Sequence, residues 1–219
     1  MTVQVLLPVD LCADVAIDQW GQEEAVILVA IAGAETGGSW NQYAAGDNPD
    51  DIAAYVWDRQ HPGLPREGPE WDALLQRLRD EYLPHACNGF TSFGLWQINL
   101  RWNDELVGQL SGYIYPCDLA AWLYVRQNNA RAARAVYDRQ TKTAWTTYNV
   151  QSHLRYIDAA RAAVIAALIR AGQVPQPPLV TPGPPVIPGP FDFAAFESLA
   201  PVEPPGVAVE PPVAAVDPP

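Results

Sequence analysis

Residues 23–38 read EEAVILVAIAGAETGG, and this stretch decides how the rest of the chain is arranged. Two acids open it, ten uncharged residues (25–34) follow, and Gly37-Gly38 close it. Acids complement the positive end of a helix, and glycine just past the last turn takes the left-handed conformation that ends one. The pattern therefore predicts an α-helix from Glu23 whose last turn carries Glu35. Its apolar run is half of the roughly 20 residues that a bilayer crossing needs, so it reads as a core helix and no membrane span is expected.

Glu35 stands out on this helix for a chemical reason. At a helix C-terminus the macrodipole disfavours an anion, and Ile31, Ala32 and Ala34 offer no positive partner. Both effects raise the carboxyl pKa. An acid still protonated near neutrality can give its proton to an alkoxide leaving group, which is the work of a general acid.

Around this helix the composition falls into two parts. Of the 22 prolines in 219 residues, 15 lie after position 173, where Asp192, Glu197, Glu203, Glu210 and Asp217 are the only charges. We read 1–172 as one folding domain and 173–219 as an acidic, Pro-rich tail of extended, polyproline-like chain. One apolar island, Phe191, Phe193, Phe196 and Leu199, interrupts the tail. It is either a transient helix in a linker or a docking peptide for a partner protein. The domain holds all 13 Lys and Arg, and with five of the 25 acids in the tail its charge is 13 − 20 = −7. That sign sets aside nucleic acid and anionic lipid as bulk electrostatic partners. Residues 1–8 lack a basic region before Val5-Leu6-Leu7 and do not read as a secretory signal. Cys12, Cys87 and Cys117 lack metal-ligand spacing. They allow one disulfide, and neither a metal nor a cofactor is expected.

The stretch 47–69, rich in Pro, Gly and Asp, reads as a long loop. Trp71, Leu74, Leu75, Leu78 and Tyr82 then recur at helical spacing between Pro69 and Pro84. Asn88-Gly89 is a turn signal. After it FTSFGLWQINL (90–100) alternates Leu95, Gln97 and Asn99 with Trp96, Ile98 and Leu100, as a short strand or hairpin does. Residues 118–140 read as helical, with a break at Gln127-Asn128-Asn129 supplying a fresh N-cap. One short turn of helix is expected at 143–148, and a last helix at 152–171, striped by Leu154, Ile157, Ala160, Val164 and Leu168 and capped by Gly172. The expected class is mostly α, an α+β domain with a small β-hairpin beside a cleft.

Three segments carry a resemblance in order: Ala34-Glu35-Thr36-Gly37-Gly38-Ser39-Trp40, Ser92-Phe93-Gly94-Leu95-Trp96-Gln97-Ile98-Asn99, and Tyr148-Asn149. Together they resemble the soluble lytic transglycosylases and related phage-type lysozymes, over about 22–160. The runs Asn129-Ala130-Arg131-Ala132-Ala133 and Ala144-Trp145-Thr146-Thr147-Tyr148 also look like lysozyme modules of phage tail proteins. The resemblance implies a lysozyme-like fold in which Glu35 protonates the β-1,4 glycosidic oxygen between N-acetylmuramic acid and N-acetylglucosamine. It implies that Tyr148 hydrogen-bonds the acid or the reacting sugar, and that Ser92, Gly94, Gln97, Asn99 and Asn149 line the substrate cleft. Trp40, with Tyr43 and Trp102, is expected to offer an exposed ring for sugar stacking.

Two departures bear on mechanism. Glu35 and Gly94 lie 59 positions apart, wider than the family's spacing, so 47–87 reads as an inserted lid or cleft wall. Within it Asp47, Asp50 and Asp51 are candidates for a second carboxylate that activates water, or else a solvated loop with capping duties. Without such a base, the substrate's acetamido group or 6-hydroxyl serves as nucleophile. Val150-Gln151 stand where the family often has Ala-Gly after Tyr-Asn. The implied function is peptidoglycan cleavage by an enzyme carried in a phage particle, acting in the host wall or periplasm, with virion or tail proteins as partners of the tail. A structural virion component on the same scaffold, and a chitinase-like hydrolase, are the alternatives.

Overall fold

The computed structural model describes residues 6–173. The chain divides into Met1–Gln176 and Pro177–Pro219. The Phe191, Phe193 and Phe196 island lies outside the described residues. The first unit is mostly helical with one small antiparallel sheet. In order it contains α1 (Pro8–Glu35), β1 (Ala45–Gly46), α2 (Pro49–Gln60), α3 (Pro69–Tyr82), β2 (Ser92–Phe93), β3 (Ile98–Asn99), α4 (Leu100–Ser111), α5 (Pro116–Leu123), α6 (Arg126–Gln140), α7 (Thr146–Asn149) and α8 (Ile157–Arg170). Tight helical turns at Leu83–His85, Thr141–Ala144 and Ser152–Tyr156 join them. No helix of the described residues is long and apolar enough to cross a membrane.

α1 starts earlier than the acids at 23–24 signal, at Pro8, and kinks at Gly21, whose φ of 72° breaks the helical path. Its second half is the expected apolar helix, with Leu28, Val29, Ala30, Ile31 and Ala32 wholly buried, and α1 packs on α8 and α6. It ends as predicted: Gly37 takes φ 62°, and the amides of Gly37 and Gly38 close back on the Ala34 and Gly33 carbonyls. Gly33 is needed for close approach, since a Cβ there would lie 2.6 Å from the Trp40 ring.

The predicted loop over 47–69 is instead largely helix. Asn48 caps α2 by accepting from the Asp50 amide, Pro49 takes the first helical position, and Asp50 and Asp51 occupy the first turn. Those residue types, read as loop formers, are also those of a helix start. Pro49, Ala53 and Trp57 then face inward. Trp57 meets Trp71 of α3 edge to face, so 47–87 contains a helical hairpin. The Cys87–Cys117 disulfide ties its end to α5, and Cys12 is a buried free thiol.

The sheet runs β1-β2-β3, with Ala45 opposite Phe93 and Ser92 opposite Asn99. The alternation read over 95–100 is not one strand. Residues 94–97 form the turn, Leu95 and Trp96 are both buried, and Leu100 already begins α4. Trp96 sits at the centre of the core, its indole N–H donating to Leu28 O at 2.9 Å while its carbonyl accepts from the Trp145 indole at 2.8 Å.

The break in 118–140 falls at Tyr124-Val125, not at the asparagines. Asn129 is buried one turn inside α6. Its amide accepts from the Trp96 N–H at 3.0 Å and donates to Phe93 O at 2.9 Å, satisfying the hairpin's main chain. The last helix keeps Ala160, Val164 and Leu168 inside, but Leu154 is 51% exposed because the chain around it is a tight turn with a different period.

Candidate active site

Glu35 lies at the last residue of α1, partly buried. Its Oε1 accepts from the Thr147 hydroxyl of α7 at 2.5 Å. Burial pushes the carboxyl above its ordinary range, the Thr147 donor works against that, and the charge of Asp47 adds to the upward push. Desolvation, the largest cause, has the same sign as the dipole argument from sequence.

Asp47 follows β1 in a left-handed conformation (φ 57°) and is exposed. Its Oδ2 accepts from the Ser92 hydroxyl and from Asn99 Nδ2 at 2.8 Å, while its carbonyl accepts from the Thr91 hydroxyl at 3.1 Å. β2 and β3 therefore supply donors that aim one carboxylate. The other two candidate acids are placed elsewhere. Asp50 makes a two-pronged bond to Arg79 of α3, at 2.8 and 2.7 Å, and its pKa falls for that reason. Asp51 is exposed on α2, where its charge acts on Arg66.

The remaining predicted residues sort by what they hold. Ser92 and Asn99 hold Asp47, and Asn99 also caps α4 by accepting from the Arg101 amide. Gly94 is fixed by space: φ is 81°, and a Cβ would lie 2.2 Å from Asn129 Nδ2. Gln97 donates its amide to Ala44 O and Gly94 O, bracing the turn. Asn149 donates to Thr143 O. Tyr148 stacks on His153, with ring centres 4.9 Å apart, and among the described residues makes no hydrogen bond to Glu35. The short helix α7 presents the preceding residue, Thr147, to the acid instead. Trp40 is not a free platform, for its indole donates to Val29 O and its ring meets Tyr156 edge to face. Tyr43 and Trp102 are exposed as expected, at 65% and 66%.

A groove of about 460 Å³ adjoins these groups, lined by Gln97, Asn99, Trp102, Asn103, Gln140 and Trp145 among others. Asn99 joins it to Asp47, and Trp145 lies two residues before Thr147. One face of Trp102 is covered by the Arg101 guanidinium, 3.7 Å from the ring centre. Side-chain amides beside an exposed indole suit a polar, ring-bearing ligand. The described residues contain no group of three or more His, Cys, Asp or Glu able to hold a metal.

No protein-family model, curated protein or solved structure matches the chain.

Proposed function

We propose that the protein is a glycosidase that cleaves the β-1,4 amino-sugar backbone of peptidoglycan on a lysozyme-like domain. Glu35 acts as the general acid and Asp47 as the second carboxylate. The observation that carries the reading is the pair itself. One carboxyl is desolvated and kept toward its protonated form, and the other is exposed and aimed by two neutral donors from the sheet, beside an amide-lined groove. Two carboxyls in contrasting environments divide the labour of glycoside cleavage: one protonates the leaving oxygen, and the other stabilises the developing cation or activates water.

Asp47 favours a hydrolase over a transglycosylase, in which the substrate would supply the nucleophile. Digestion of purified peptidoglycan with mass analysis of the new sugar ends tests both levels. Reducing ends support the hydrolase, 1,6-anhydro ends support the transglycosylase, and no new ends reject the glycosidase. Parallel digestion of chitin oligosaccharides tests the chitinase-like alternative. A purely structural virion protein gains nothing from a desolvated acid, which weighs against that role. Delivery in a phage particle through the tail is part of this reading. It predicts that replacing Phe193 and Phe196 by Ser releases the protein from its assembly without changing cleavage.

A further inference from the structure

Thr147 is the one described residue whose side chain hydrogen-bonds Glu35, and the sequence offers it only as part of the run 144–148, with no role of its own. Its position is fixed from both sides. Upstream, Lys142 of the Thr141–Ala144 turn lies 3.1 and 2.9 Å from the two carboxylate oxygens of Glu24, on the same helix that carries Glu35. Downstream, the Thr147 carbonyl faces Ser152 Oγ at 3.2 Å and His153 Nδ1 at 3.3 Å, and Tyr148 stacks on the buried His153 ring. The hydroxyl is thus set against the acid by the framework and does not swing freely to meet it.

We infer that Thr147 is the positioning residue of the acid: donating to Oε1, it fixes the carboxyl's rotamer and leaves Oε2 as the oxygen that carries and delivers the proton. The inference deepens the proposed function and rests on Glu35 as the acid. In the step, the Oε2 proton passes to the glycosidic oxygen as the sugar C1–O bond breaks, its electron pair staying on that oxygen. The charged or titratable groups around this point are Asp47 from the sheet side, Tyr148 and His153 beside Thr147, and Tyr156, which packs on Gly38 just past the acid; the Lys142–Glu24 pair lies farther up α1. Burial, the largest cause, and Asp47 oppose ionisation of Glu35 while the Thr147 donor favours it, so removing that donor moves the pH at which the acid fires upward.

The test is a carbon-13 NMR titration of the Glu35 carboxyl in the full chain, in the wild type, T147V and T147S, with T147A as a second hydroxyl-free variant should T147V not fold. Losing the donor should raise the Glu35 pKa by about one pH unit, the size of one hydrogen bond. T147S should titrate as the wild type. On peptidoglycan, T147V should lower kcat on the order of tenfold at unchanged KM and move the alkaline limb of the profile upward. An unchanged Glu35 pKa in both hydroxyl-free variants overturns the inference whether or not the protein cuts glycan. Wild-type protein that leaves glycan intact overturns the functional reading alone.

Discussion

The charge of Asp47, on the loop after β1, reaches Glu35 at the end of α1 and adds to the burial that raises its carboxyl pKa. In the reaction proposed above, one residue therefore serves twice, as a partner carboxylate and as a field on the acid. Asp47→Asn removes both. The Glu35 pKa should fall, moving the alkaline limb of the activity profile to lower pH, and the maximal rate should drop by a factor comparable to that of E35Q. D50N and D51N should keep most of the activity, since Asp50 is engaged with Arg79 and Asp51 is exposed on α2 with its charge acting on Arg66. Muropeptide release measured across pH for the three variants checks this. A D47N enzyme at the wild-type rate would return the nucleophile to the substrate.

Glu35 also predicts how stability varies with pH. Its folded pKa is raised, so the folded state holds a proton that the unfolded state has released, and the associated stability is present at low pH and lost as pH climbs through the folded pKa. E35Q has no such proton. Thermal melts should show the wild type losing ground to E35Q as pH rises from about 4.3, the ordinary value of a glutamate. A constant gap between the two would mean that the carboxyl is not desolvated.

Gly94 should tolerate no side chain. Its φ is 81°, and a Cβ there would lie 2.2 Å from Asn129 Nδ2 and 2.8 Å from Leu123 O, so there is no room for a methyl group, and the blocking atoms are a core amide and a main-chain carbonyl. Gly94→Ala should cost about 3 kcal/mol or more, strain and overpacking together. Urea unfolding measures it. A loss under about 1 kcal/mol would show that the turn can shift aside.

Much of this was legible because local chemistry and tertiary need agreed. The run 25–34, its two closing glycines and the acid before them describe one buried helix end, and the structure keeps all three. Asn48-Pro49-Asp50-Asp51 was ambiguous, since capping residues and loop residues are the same types, and only packing of Ala53 and Trp57 on α3 decides for helix. Asn129 misled for a related reason: an asparagine in a helical stretch signals a cap unless, as here, the core holds main-chain groups that need it. Thr147 was invisible because its importance comes from meeting a residue 112 positions away. The adjacent Tyr148 is the more conspicuous side chain, and of its two expected partners, the acid and the reacting sugar, the described contacts give the first to Thr147.

The most direct test of the central claim is the rate at which wild-type protein and Glu35→Gln release soluble fragments from purified peptidoglycan, with folding of both confirmed by matching circular dichroism. Glutamine keeps the shape of the side chain and removes the proton. The account predicts cleavage by the wild type and a loss on the order of a hundred- to ten-thousand-fold in the variant. Release by E35Q at the wild-type rate, or no release by the wild type, would contradict it.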